Sequence, residues 1–138
     1  MPTIGLVIGS FHKADCLKML ETARRVTTET GLSIGAEVWV PGSMEKPLAL
    51  KRLLLRDDID GAVALGIIER GETKHGLVMG QAVVNAIIGL QMELLKPIGV
   101  GILGPDIHPS QIPGRLEPYA ASAVKAVAAM LLESSSSY

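Results

Sequence analysis

The sequence predicts an α/β protein, a three-layer α/β/α sandwich around a four-stranded, mainly parallel sheet. Three observations carry this. Short continuous apolar runs recur along the chain without polar alternation, as strands buried on both faces require. Runs with helical spacing separate them at the interval of strand–helix–strand units. Turn residues punctuate the joins, at Gly31, Pro41-Gly42, Asp60-Gly61 and Gly104-Pro105. There is no internal repeat and no linker. The 138 residues suit a single domain, expected over 1–133, with residues 134–138 as a frayed serine-rich tail.

Thr3–Ile8 is apolar and ends at Gly9-Ser10, which reads as a buried strand. Ala14–Thr30 has Leu17, Leu20, Ala23 and Val26 at helical spacing, and Gly31 closes it as a C-terminal cap. Ile34–Val40 is rich in strand formers and stops at Pro41. Glu45–Leu55 predicts a helix with Leu48, Leu50, Leu53 and Leu54 inward. Gly61–Leu65 is the third strand, and Thr73–Leu95 contains a long helix. Pro97–Leu103 is the fourth strand, followed by a polar loop from Gly104 holding Pro109, Pro113 and Gly114. Leu116–Leu132 is a last, alanine-rich helix with Val124, Val127 and Leu131 on its apolar side.

Bulk properties exclude several classes. The net charge is −1 and no basic stripe occurs, so nucleic acid is not an expected partner. Cys16 is the single cysteine, so no intrachain disulfide forms, in keeping with a reducing compartment. The N-terminus lacks the basic segment and long apolar core of a signal peptide. Leu77–Leu95 is interrupted by Gln81, Asn85, Gln91 and Glu93, so no membrane span is expected there. The expectation is a soluble, cytoplasmic protein. Its mean hydropathy of +0.36 is high for a small soluble monomer, which points to apolar surface covered between subunits.

Chemistry concentrates where strands end, the place ligands bind in an α/β fold. Gly66–Gly76, GIIERGETKHG, leaves the third strand and opens a helix. Helix N-terminal N–H groups suit a phosphate, and His75 can carry a proton near neutral pH. Thr73 is a natural N-cap as well as a hydroxyl donor, and His75 is equally readable as a surface histidine of the first turn. Phe11, the only phenylalanine, either stacks on a planar ring or plugs the top of the core. Glu45 either favours the start of the next helix or accepts hydrogen bonds from a polyol. Arg115 is the only basic residue of Gly104–Glu117, a phosphate ligand or a solvated charge. His108 reads as surface. Gly99–Gly104 matches G-x-G-x-x-G, but inside a strand pattern, where close backbone packing is the better reading than nucleotide binding. No metal-ligand spacing and no G-x-S-x-G elbow occur.

Three motifs in this order, G-x-F-[NH] at Gly9–His12, VPG-x-x-[DE]-x-P at Val40–Pro47 and G-x-x-x-x-GET-x-H at Gly66–His75, resemble the 6,7-dimethyl-8-ribityllumazine synthase family. The resemblance covers roughly Ile4 to Met130 and implies a flavodoxin-like fold. The short segment from Gly104 to Arg115 looks more like archaeal members than bacterial ones. The family condenses 5-amino-6-(D-ribitylamino)uracil with 3,4-dihydroxy-2-butanone 4-phosphate in riboflavin biosynthesis, losing phosphate and two waters. It needs no metal and no organic cofactor. It assembles as homopentamers, some as decamers or as icosahedral shells of twelve pentamers.

Carried over by position, the resemblance implies that Phe11 stacks on the pyrimidine, beside His12 of the same motif. Glu45 would hold ribityl hydroxyls, with backbone groups of Ser43 and Met44. Ile67 and Ile68 would read the pyrimidine edge, with Val100 in the same substrate-binding set. Glu72 and Thr73 would bind phosphate, His75 would move protons, and Arg115 would pair with phosphate from a neighbouring subunit. Departures stand beside these. Gly76 and Leu77 follow His75 where family members often carry an acidic residue. Val100, and often Met44, stand where bacterial members have aromatics. Glu69 stands where an apolar residue is usual, and repels phosphate if it faces the pocket. Two rivals follow: an archaeal-type riboflavin synthase, which shares the fold, and a catalytically weak lumazine- or flavin-binding shell protein.

Overall fold

Seven residues at the N-terminus, Thr3–Gly9, form strand β1, buried from Ile4 onward because its side chains meet helices on both faces. The computed structural model of the chain describes residues 1–132. The elements that follow are α1 (Lys13–Glu29), β2 (Ser33–Val40), a one-turn 3-10 helix at Ser43–Glu45, and α2 (Lys46–Leu54). Then come β3 (Gly61–Glu69), α3 (His75–Leu94), β4 (Ile98–Ile107), two 3-10 turns, and α4 (Leu116–Leu131). The four strands are all parallel, in the order β2-β1-β3-β4. The expected α/β sandwich is therefore the observed one. The expected serine-rich tail, 134–138, lies outside the described residues.

Each sheet face has its own apolar layer. Ile4, Leu6, Ile8, Val63 and Leu65 pack under α1 and α4, against Met19, Leu20, Val124 and Val127. Val7, Ala62, Ala64, Ile98 and Ile102 pack under α2 and α3, against Leu50, Leu53, Val83 and Ile87. Strand alternation sends successive residues to opposite layers. The G-x-G-x-x-G match belongs to this packing. A Cβ on Gly99 would lie 2.1 Å from the Ala123 carbonyl oxygen, so the glycine lets α4 sit directly on β4. Gly31, at φ 81, follows the end of α1 as expected of a left-handed C-terminal glycine.

Several boundaries and faces differ from the sequence reading. β3 runs on through Glu69, so Gly66–Ile68 belong to a strand rather than to the loop. β4 runs on through Ile107, because Glu69 pairs with Ile107 beyond a register shift and extends the ladder past Gly104-Pro105. Leu17 and Leu48 face outward, at 41% and 57% exposure, while Cys16 and Met19 take the inward side of α1. α3 begins at His75 with Lys74 at the capping position, not Thr73. α3 is long and apolar enough to cross a membrane by length and composition, but it packs on β4 and α2. Its exposed side carries Leu77, Val78, Ile88 and Met92.

Candidate active site

Between β1 and β3 the chain reverses its direction of travel across the sheet, and the two strand ends part there. Such a switch point opens a crevice at the carboxyl ends of the strands. A cleft of about 440 Å³ occupies it, within the usual range for small-molecule sites. Its walls come from the three motif segments. Gly9 ends β1 and Phe11 follows in the turn, the segment after β2 supplies Pro41–Lys46, and β3 supplies Ile67–Glu69. The loop and first turns of α3 add Gly71, Thr73, His75, Gly76 and Met79.

Phe11 is 61% exposed and Met44 62% exposed, at the rim of the cleft. An aromatic so open is not a core plug, and its face is free for a planar ring. Ile67 and Ile68 are almost fully buried and form an apolar wall. Among the described residues, Glu45 makes no side-chain capping hydrogen bond to α2, and it lines the cleft. Ser43 is buried beneath it. His75 lines the cleft and is exposed. Its backbone N–H donates to Thr73 Oγ1 at 3.3 Å, so the Thr73 hydroxyl supports the first turn of α3 from one residue before the cap. Among the described residues, no ion pair engages the His75 imidazole.

Gly76 has a steric reason. A Cβ there would lie 3.2 Å from the Glu69 carbonyl oxygen, so the bare backbone lets α3 start close against the end of β3. A second hollow adjoins the cleft across this loop, lined by Arg70–Lys74, Gly76, Leu77 and Asp106. Glu72 belongs to that hollow, and Thr73 to both. The first N–H groups of α3 open here, where an anion is favoured. Arg70 stands over it, with Nε 3.1 Å from Asp106 Oδ1 and Nη1 3.0 Å from His108 Nε2. His108 is thus exposed, as expected, and has a partner that sequence distance concealed.

Glu69 faces the cleft. Its Oε2 lies 2.7 Å from His12 Nε2, an ion-pair distance, although the ring nitrogen is not aligned for a hydrogen bond. The His12 ring thus stands against the Glu69 carboxylate. His12 touches the site through this contact rather than as a wall residue. It holds a left-handed backbone, φ 60, at the head of α1, uncommon for a residue with a side chain. Val100 lies in mid-strand opposite Ala64, packed on the α2–α3 layer, outside the cleft wall. Arg115 lies outside it too, with Nη1 donating to the Gln111 carbonyl oxygen at 3.0 Å.

Lys46 is the residue sequence reasoning passed over. It is 1% exposed, yet it lines the cleft. Burial pushes its pKa down to about 8, partly offset by Cys16 and Glu45 nearby. The signal was present in the sequence only as a lysine between Glu45 and Pro47, where a first-turn solvent position is the ordinary reading.

The comparisons agree with this arrangement. The family described as 6,7-dimethyl-8-ribityllumazine synthase matches residues 2–134. A relative of that name from Staphylothermus marinus is 38% identical over 136 residues, covering 99% of this chain and 91% of the relative. Another, from Methanopyrus kandleri, is 38% identical over 128 residues, covering 93% and 90%. A third, from Metallosphaera sedula, is 37% identical over 127 residues, covering 92% and 84%. With its fold, its cleft and these matches in agreement, the chain belongs to the 6,7-dimethyl-8-ribityllumazine synthase family.

Proposed function

We propose that this chain condenses 5-amino-6-(D-ribitylamino)uracil with 3,4-dihydroxy-2-butanone 4-phosphate to 6,7-dimethyl-8-ribityllumazine. The observation that carries the reading is the convergence of Gly9, Phe11, Ser43–Glu45, Ile67–Glu69, Thr73 and His75 on one cleft. The pyrimidine lies between Phe11 and the Ile67–Ile68 wall, and Glu45 takes ribityl hydroxyls at the open side. The phosphate lies at the first turn of α3, against Thr73 and the N–H groups around Glu72.

Chemically, the amine adds to the ketone and water leaves to give an imine. Phosphate is then eliminated, and the second amine closes the ring with loss of another water. The protein supplies proximity of the two reactants and a proton carrier, His75, at the cleft mouth. Arg115 lies outside the cleft of its own chain, and among the described residues the apolar side of α3 at Leu77, Val78, Ile88 and Met92 stays exposed. Both features support a site completed by a neighbouring copy, in a homopentamer or a multiple of one. A ring arises when a heterologous contact closes on itself. The single cysteine is in keeping with a reducing, cytoplasmic setting.

Release of inorganic phosphate tests the reaction. It should require both compounds together, and should stop when the pyrimidine is omitted. Equal release from the butanone phosphate alone would contradict the condensation.

A further inference from the structure

We propose that Lys46 is a substrate-binding residue of this cleft, its ammonium donating to an electron-rich oxygen of the bound substrate. The inference rests on the reading of the cleft given above and adds to it a contact that none of its motifs supplies.

Three observations converge. Lys46 starts α2, but its side chain runs inward over the sheet instead of outward. Its Nζ lies where side chains of Gly9 and Gly66 would be, 2.8 and 2.6 Å from a Cβ built on each. Gly9 ends β1 and Gly66 lies three residues before the end of β3, so the ammonium lies between these adjacent strands at the switch point, beneath the cleft it lines. The missing side chains make the slot that admits it.

The ammonium is also incompletely satisfied. It carries three donors, and among the described residues its one hydrogen bond goes to Ser43 Oγ, at 3.3 Å. No carboxylate forms an ion pair with it among the described residues. A buried charge without a counter-charge is costly. As space-filling, a methionine would serve the slot better. As a binding group, the lysine has two donors left and a cavity beside it.

It is, among the described residues, the only lysine or arginine lining the cleft, which otherwise presents Glu45 and Glu69. An acceptor oxygen with negative charge or strong polarity therefore finds its complement at Lys46. Two sources in the reaction offer one: a carbonyl of the pyrimidinedione, or an oxyanion of the phosphate.

Calorimetry separates the sources. The ribitylaminouracil and inorganic phosphate are titrated separately into the whole protein and into Lys46→Met. The expected result is a loss of roughly tenfold or more in affinity for one probe, with the other changed less than twofold. Unchanged affinity for both would overturn the proposal and make Lys46 a space-filler. Wild-type protein that binds neither probe would overturn the proposal together with the reading of the cleft.

A measurement on the unaltered protein guards against a folding defect in the variant. The groups that share the cleft or adjoin Lys46 are Glu45 of its own turn, Glu69 of β3, His12 and Cys16 beside β1, and His75 of α3. Cys16 is pushed up to about 11 by burial and stays a thiol through the window used. Affinity for the selected probe should fall as pH rises from 7 to 9.5, because the amine loses its charge near 8. With the probe's own ionisation measured in parallel and corrected for, a flat affinity across that window would overturn the proposal.

Discussion

Phe11 is a ring that the sequence offered two ways, and its exposure argues against the core plug. With 61% of its surface open at the rim, it contributes little to the core and leaves its face open to a stacked ligand. Phe11→Ala should weaken pyrimidine binding by about 1–3 kcal/mol, the scale of a lost stacking partner, with thermal stability almost unchanged. Calorimetry and a melting curve on the same protein check both halves. Lys46 makes the opposite kind of statement. Its pKa falls from 10.5 to about 8 on folding, so the folded state disfavours its charge. The penalty is full below pH 8, shrinks as pH rises toward 10.5, and is absent above it. Lys46→Met should therefore raise stability at pH 7 by roughly 2–3 kcal/mol, and the gain should shrink as unfolding is repeated at pH 9 and 10. Equal stabilisation at every pH would show that packing, not charge, sets the difference. What the sequence could not disclose here is direction. Lys46 turns inward only because Gly9 and Gly66, 37 and 20 residues away, leave room over the sheet.

Among elements, strands and helices were legible because burial on both faces and helical spacing leave plain patterns in Thr3–Gly9, Val83–Leu90 and Leu116–Leu131. Strand ends were not. Gly66–Glu69 and Gly104–Ile107 contain glycine, charge and proline, so they read as loop, yet pairing between the two strands carries both onward. Their tertiary partner overrides local propensity. The faces of α1 and α2 were misjudged at Leu17 and Leu48, since a single leucine on a helix shoulder fits either side of a narrow apolar stripe. The glycines of β4 show how a motif can match and mean something else. Gly99→Ala should cost about 3 kcal/mol or more, because its methyl meets the α4 backbone, which cannot yield as a side-chain tip does. Gly71→Ala, with nothing within 4 Å, should cost far less. Denaturant unfolding of the two variants side by side measures the contrast, and similar losses would contradict the packing account of β4.

For the whole molecule, the site was legible as three motifs, and the fold brings those motifs to one crevice. Arg115 was legible as a residue but not as a place: it lies outside the cleft of its own chain, and the proposed function gives it to the cleft of a neighbouring copy. Sedimentation should give a mass that is a multiple of five 14.6 kDa chains, and a stable monomer would contradict the shared site. Mixing supplies a sharper check. Phe11→Ala and Arg115→Ala proteins, each weakly active, should recover about a quarter of full activity after unfolding and refolding together, since random rings pair the intact halves at one interface in four. No recovery would place Arg115 in its own chain's cleft or in none.

The central claim is that the cleft between β1 and β3 carries out the condensation. The most direct measurement is the absorbance of purified protein given both the ribitylaminouracil and the butanone phosphate, beside a reaction given the lumazine alone. Formation of 6,7-dimethyl-8-ribityllumazine well above the uncatalysed rate, with the lumazine alone left unchanged, is the predicted result. Riboflavin appearing from the lumazine alone, without any acceleration of the condensation, would contradict it.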